Sequence, residues 1–148
     1  MTSVASRQVT VITGGTRGIG AATAARLASA CHSLVLGYRG DEAAADRTAK
    51  HLRSRGARCV TVRADVSDPD EVDRLFDVAT EEGTVTGLVN NAGATMHLGD
   101  LADTPVEVVR RVVEVNLTGA LLCARRAVQV MEPGGVVVNV SSAAATLG

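Results

Sequence analysis

The feature that most constrains this chain is a repeated alternation of short, continuously apolar segments with longer segments of helical character. Continuous apolar segments are typical of strands in a parallel sheet that is covered on both faces. Crossovers between parallel strands are almost always right-handed, so the pattern predicts an α/β fold with a doubly wound parallel sheet of the Rossmann type. The five predicted strands are Gln8–Thr13, Ser33–Gly37, Ala57–Arg63, Thr86–Asn90 and Gly135–Val140.

Capping residues mark the ends of the predicted helices. Asp41 is a candidate N-cap for the second helix, and Gly56 suits the position that ends it. Ser67-Asp68-Pro69 and Gly83 predict the limits of the third helix in the same way. Thr104-Pro105-Val106-Glu107 has the spacing of a capping box, and it predicts one long helix that runs to about residue 131.

Composition and charge exclude several classes of protein. The 148 residues are enough for one domain, and the net charge of −1 comes from scattered side chains that form no basic patch for nucleic acid or an anionic membrane. No apolar run approaches the ~20 residues of a membrane span, and Met1–Val9 lacks the features of a signal peptide. We therefore expect a cytoplasmic protein. Cys31, Cys59 and Cys123 have no metal-ligand spacing, so we expect inert thiols and no metal site.

A glycine-rich segment, Thr13–Gly20, lies between the first predicted strand and an alanine-rich helix. Glycines at such a turn accept positive φ and let a pyrophosphate approach backbone N–H groups, while the helix N-terminus adds partial positive charge. The spacing of Gly14, Gly18 and Gly20 differs from the general Gly-x-Gly-x-x-Gly fingerprint. Taken alone, the segment is also compatible with a tight turn that binds no ligand.

Four more motifs follow this Thr-Gly-x-x-x-Gly-x-Gly signature in order: Asp65-Val66, Asn90-Asn91-Ala92-Gly93, Asn116 in Val115–Gly119, and Asn139–Ser142. On these residues the chain resembles the classical short-chain dehydrogenase/reductase family from Val9 to Gly148, as a single NAD(P)-binding domain over residues 1–148. The resemblance implies a nicotinamide dinucleotide cofactor, with Asp65-Val66 at the adenine. The cofactor-binding residues it implies are Gly14, Thr16, Arg17, Gly18, Ile19, Gly20, Tyr38, Arg39, Asp65, Val66, Asn90, Ala92 and Gly93.

The end of the second strand bears on the choice of cofactor. In dinucleotide folds an acidic residue there favours NAD, whereas an arginine accommodates the 2′-phosphate of NADP. By resemblance the acidic position falls at Tyr38, and Arg39 follows it, with Arg17 as a second cation in the glycine loop. We therefore expect NADP(H) rather than NAD(H). The alternative is that both arginines are ordinary surface cations, and a helix cap explains Asp41 more simply than a ribose contact.

The resemblance implies hydride transfer between nicotinamide and a carbonyl or secondary alcohol. It implies that Ser142 binds the substrate oxygen and that Asn116 holds a water in a proton relay. Without the resemblance, the serine pair could end a strand and Asn116 could satisfy a helix irregularity. The family's proton donor is a tyrosine with a lysine four residues later, but Tyr38 and Lys50 are the only residues of these types. We therefore expect that the C-terminal strands, helices and substrate loop are missing, and that the isolated chain is inactive.

Three hypotheses about function stay open at this point. The chain is the first part of an NADP(H)-dependent oxidoreductase, a non-catalytic NADP(H)-binding module, or a decayed remnant. Oxoacyl thioesters, glucose-type sugars and steroid-like ketones are all possible substrates, and Met96 and His97 are candidates to line their pocket. The strand at 135–140 would become an exposed apolar edge, so we expect this chain to self-associate. A full-length relative is expected to be a homo-oligomer.

Overall fold

The fold is a five-stranded parallel sheet with helices on both faces. The computed structural model describes residues 7–28, 30, 32–95 and 99–143, so Cys31, Met96 and His97 lie outside the described residues. The strands are β1 (Gln8–Thr13), β2 (Ser33–Tyr38), β3 (Cys59–Arg63), β4 (Thr84–Asn90) and β5 (Val136–Asn139). The helices are α1 (Gly18–Ala28), α2 (Glu42–Ser54), α3 (Pro69–Glu82), α4 (Val106–Val113) and α5 (Ala120–Val130), with a π-helical segment at Glu114–Gly119 and a 3₁₀ turn at Leu101–Asp103.

The strand order is β3-β2-β1-β4-β5, and every pair is parallel. The predicted doubly wound Rossmann fold is confirmed, and β1 has the predicted bounds. The other strand limits differ by one or two residues. Ala57 is outside β3 because its N–H donates to Leu52 O at the end of α2. β4 begins two residues earlier than predicted because Thr84 pairs with Gln8 of β1.

The helix caps agree with the sequence at two helices and differ at a third. Asp41 caps α2 by accepting a hydrogen bond from Ala44 N at 2.9 Å, and Asp68 caps α3 by accepting from Asp70 N at 2.9 Å. The predicted capping box before α4 is wrong. Thr104 Oγ1 donates instead to Asp100 O at 3.1 Å, closing the preceding turn, and Pro105 occupies the N-cap position without a side-chain cap.

The predicted long helix is interrupted. Its central turn, Glu114–Gly119, is π-helical and separates α4 from α5. Gly119 in this turn packs directly against the segment after β3, because a Cβ built at Gly119 would lie 2.6 Å from Val66 Cγ2 and 3.1 Å from Val66 O. π-turns inside α-helices often occur at functional sites. Here the turn lies against the segment that follows the carboxyl end of β3.

The core forms on both faces of the sheet, as expected for parallel strands that are apolar throughout. On one face, Leu75 and Phe76 of α3 pack with Cys123 of α5 against the strands. On the other face, Ala24 of α1 and Leu52 of α2 cover the sheet. Among the described residues, no helix is long and apolar enough to cross a membrane.

β5 lies at one edge of the sheet and is largely exposed. Val136, Val137 and Val138 are 58%, 38% and 48% exposed. Leu121 and Val128 of α5 are also exposed, at 61% and 71%. Within the described ranges, β5 pairs only with β4. The apolar edge strand expected from the sequence is therefore present.

The close contact at Gly119 gives a test of helix packing. We expect Gly119→Ala to lower the free energy of unfolding by about 1–3 kcal/mol, because the added methyl group overpacks the contact with Val66. Gly40→Ala is the matched control, since nothing lies within 4 Å of a Cβ there. Urea unfolding followed by circular dichroism measures both. Equal stability of the two variants would contradict this account of the helix packing.

Candidate functional site

A cavity of about 970 Å³ opens at the carboxyl ends of β1 to β4. This is the edge where open α/β sheets bind their ligands, at the point where the strand order reverses. Ten of the residues implied by the family resemblance line it: Gly14, Thr16, Arg17, Gly18, Tyr38, Arg39, Asp65, Val66, Ala92 and Gly93. The other lining residues are not among those implied as cofactor-binding: Gly40, Asp41, Ala64, Asn91, Ala94, Thr95, Arg111 and Val115.

The glycine loop connects β1 to the N-terminus of α1. Gly14 and Gly18 have φ of 62° and 49°, values that residues other than glycine rarely adopt. Gly20 is outside the cavity lining, but a Cβ there would lie 2.2 Å from Gly14 O, so only glycine allows this packing. The first N–H groups of α1 have no acceptor within the helix. The loop can therefore present N–H groups and a helix N-terminus to an anion.

Thr13 and Asn91 join the glycine loop to the end of β4. Thr13 Oγ1 accepts hydrogen bonds from the N–H groups of Asn91 and Ala92, each at 3.0 Å, and donates to Val89 O at 3.4 Å. Asn91 Nδ2 donates to Thr13 O and Gly14 O, both at 3.0 Å. These contacts fix the two strand ends that bound the middle of the cavity.

Cationic side chains stand near the end of β2. Arg17 Nη1 lies 3.5 Å from Asp41 Oδ2, but the two side chains are 73% and 40% exposed, so the pair is weakly coupled. The other oxygen of Asp41 caps α2, as the sequence predicted. Arg39 is exposed beside them. This end of the cavity therefore carries two guanidinium groups and one carboxylate.

The segment after β3 contains a more ordered acidic group. Asp65 Oδ1 accepts from Ser67 N at 3.0 Å and from Ser67 Oγ at 2.7 Å, and Asp65 Oδ2 accepts from Arg111 Nη2. Partial burial alone would raise the pKa of the Asp65 carboxyl, but the hydrogen bonds from Ser67 and Arg111 and the guanidinium charge lower it overall. The group is therefore an ionised acceptor near neutral pH.

Besides Gly20, four other residues implied by the resemblance lie outside the cavity lining. Ile19 is exposed. Asn90 is buried, and its Nδ2 donates to Ala120 O at 3.1 Å and to Asn139 Oδ1 at 3.0 Å. Asn116 binds the backbone of Ala94, accepting from its N–H at 2.7 Å and donating to its carbonyl at 3.1 Å. Ser142 is exposed beyond the carboxyl end of β5.

The described cysteines are free and buried. Burial raises the pKa of the Cys59 thiol to about 11 and that of the Cys123 thiol to about 12. Such thiols are poor nucleophiles near neutral pH. In the described ranges, no group of three or more His, Cys, Asp or Glu side chains could hold a metal ion.

The sheet order, the glycine loop before α1 and the cavity at the strand reversal are those of the doubly wound class of α/β domains, in which dinucleotides bind at this crevice. The family model described as short chain dehydrogenase matches residues 8–148, and the chain belongs to this family. Cis-4-hydroxycyclohexanecarboxylate dehydrogenase of Sinomonas cyclohexanicum is 40% identical over 146 residues, covering 97% of this chain and 58% of that protein. The 3-oxoacyl-(acyl-carrier-protein) reductase of Synechocystis is 34% identical, covering 95% of this chain and 58% of that protein.

A solved structure agrees with the fold. A short chain dehydrogenase from Burkholderia cenocepacia in complex with NADP has a TM-score of 0.87 and 31% identity, covering 93% of this chain and 56% of that one. The chain thus spans a little more than half the length of the relatives it matches.

Gly20 gives a test of the glycine loop. Gly20→Ala places a methyl group against Gly14 O and Asn91 Nδ2, so the loop must shift. We expect dinucleotide binding to weaken by about tenfold or more, because even one lost hydrogen bond to a charged phosphate is worth that much. Titration with the reduced dinucleotide, followed by its nicotinamide fluorescence, measures the affinity of each variant. Ala22→Ser, an exposed change on the same helix, is the control, and unchanged binding by Gly20→Ala would contradict the proposed loop packing.

Proposed function

We propose that this chain is the NADP(H)-binding part of an oxidoreductase that transfers hydride between nicotinamide and a carbonyl or secondary-alcohol carbon. The observation that carries the proposal is the cavity at the strand reversal, which brings the glycine loop, the N-terminus of α1 and two arginines together. The pyrophosphate would bind at the loop. The adenosine half would extend past the ends of β2 and β3, and the nicotinamide would extend towards β4 and β5.

Preference for NADP(H) follows from the charges beside β2. Arg17 and Arg39 line the cavity where the adenosine ribose would lie, and guanidinium groups bind phosphate through paired N–H donors. Asp41 would oppose the phosphate, but it shares its carboxylate between the α2 cap and Arg17. A similar protein has been solved with NADP, which supports the same choice. NAD(H) is the alternative if the arginines stay solvated.

For catalysis we assign Ser142 to the substrate oxygen and Asn116 to the proton relay. Asn116 binds both backbone groups of Ala94, and these contacts would fix the orientation of its amide for that role. Tyr38 and Lys50 are the only tyrosine and lysine among the 148 residues, and they lie at the end of β2 and in α2. These residues alone therefore supply no Tyr-x-x-x-Lys pair. We propose that the chain as given binds cofactor without turnover, as a non-catalytic binding module also would.

The cofactor choice can be tested by comparing NADPH and NADH. We expect the 148-residue chain to bind NADPH more tightly, and Arg39→Met or Arg17→Met to reduce that preference by about fivefold to tenfold each, since each removes a charge-assisted contact to the 2′-phosphate. Fluorescence titration of both nucleotides gives the ratio. Arg47→Met, an exposed change in α2, should leave it unchanged. A wild-type chain that binds neither nucleotide would rule out the proposed function.

We also propose that this chain self-associates through the edge of β5. An exposed apolar edge strand offers unpaired backbone groups to a second copy, and a lysine on the edge blocks such pairing. We expect wild-type protein to sediment as oligomers and Val138→Lys to shift it towards monomer. Val128→Lys, on the exposed face of α5, distinguishes the strand edge from the helix surface. A monodisperse wild-type monomer would contradict the proposal.

The cytoplasmic location expected from the sequence stays a prediction.

A further inference from the structure

Arg111 connects α4 to the segment after β3 on the wall of the cavity. Its Nη2 donates to Asp65 Oδ2, and its Nη1 donates to Ser67 Oγ at 2.7 Å. The side chains of Arg111 and Asp65 are only 22% and 27% exposed, whereas those of the Arg17–Asp41 pair are 73% and 40% exposed. The Arg111 contact is therefore a directed, partly shielded ion pair rather than a loose surface one.

The lone pairs of Asp65 show where a ligand could bind. An ionised carboxylate has about four acceptor positions, two on each oxygen. Oδ1 already accepts from Ser67 N and Ser67 Oγ. Oδ2 accepts from Arg111, and among the described residues this leaves one position on that oxygen. A hydrogen-bond donor in the cavity would therefore meet Oδ2, the oxygen that Arg111 holds.

The proposed function places the purine of the cofactor at this point. With the pyrophosphate at the glycine loop and the ribose at the end of β2, the base reaches the segment after β3. Ala64, Val66 and Val115 line this end of the cavity with apolar surface, and Asp65 adds a polar group. Adenine carries an exocyclic amino donor, whereas hypoxanthine carries a carbonyl acceptor at the same position. An ionised carboxylate accepts hydrogen bonds only, so it matches adenine.

We propose that Arg111 is a positioning residue that holds Asp65 Oδ2 towards the exocyclic amino group of the purine and thereby makes the site select adenine over 6-oxopurines. This inference rests on the proposed NADP(H)-binding function. Arg111 contacts Asp65 and Ser67 at once through its planar guanidinium, which fixes the orientation of the carboxylate as well as its charge. Without this contact Ser67 would still hold Oδ1, but the orientation of Oδ2 would no longer be fixed by Arg111.

The experiment compares NADPH with the reduced hypoxanthine analogue of NADP by fluorescence titration of the 148-residue chain. We expect the wild-type chain to bind NADPH more tightly by on the order of tenfold, the size of one charge-assisted hydrogen bond. Arg111→Met should remove most of this preference by weakening NADPH binding selectively. Arg110→Met changes the neighbouring exposed arginine of α4 and should keep the preference.

The ratio of the two affinities separates a positioning role from a structural one. If Arg111→Met weakens both nucleotides equally, Arg111 only joins α4 to the segment after β3, and the inference is wrong. Circular dichroism shows whether the methionine variant folds, and Arg111→Lys is the second variant if it does not. The lysine ammonium keeps the charge but lacks the planar fork of arginine, so we expect Arg111→Lys to lose part of the preference for NADPH. Full retention of that preference overturns the inference. If the wild-type chain binds both nucleotides equally, the inference about Arg111 is wrong but the proposed function stands. If the wild-type chain binds neither nucleotide, the proposed function is wrong as well.

Discussion

The structure depends on the hydrogen bonds that join the ends of β1 and β4. The Thr13 hydroxyl has one donor and two acceptor positions, and it uses all three, on Val89 O and on the N–H groups of Asn91 and Ala92. Asn91 then binds the carbonyls of Thr13 and Gly14. Because β1 and β4 meet where the strand order reverses, this network sets both the glycine loop and the floor of the cavity.

Local signals predicted most of the fold. The apolar strands, the Asp41 and Asp68 caps and the doubly wound class of the sheet follow from short-range patterns and from the handedness of crossovers. The π-helical segment was not predicted, and the contact that its Gly119 makes with Val66 joins residues far apart in sequence, which local patterns do not show. The capping box at Thr104 failed for a similar reason. The Thr104 hydroxyl is directed back to Asp100 O, which lies outside the four-residue motif.

The candidate site also contains both residues that the sequence predicted and residues that it did not. Most residues of the family motifs line the cavity, because motif glycines and strand ends have a fixed place in a doubly wound sheet. Arg111 carries no such signal. Its partner Asp65 is 46 residues away, and on the sequence it is one of two adjacent arginines in an amphipathic helix. Only the orientation of α4 distinguishes it from Arg110, and that orientation comes from tertiary packing.

The asparagines of the motifs and the charged groups of the cavity have different physical roles. Asn90, Asn91 and Asn116 direct amide groups at backbone atoms of neighbouring segments, so they hold the strand ends and the following turn in place. The groups that still face the cavity are the loop after β1, the exposed guanidinium groups beside β2 and the oxygen of Asp65 that Arg111 orients. Amides suit the first role because they donate and accept without a charge to desolvate, whereas guanidinium groups suit phosphate because they bind it through charge-assisted hydrogen bonds. The described residues therefore hold the candidate site in place through uncharged amides and leave its charged groups facing the cavity.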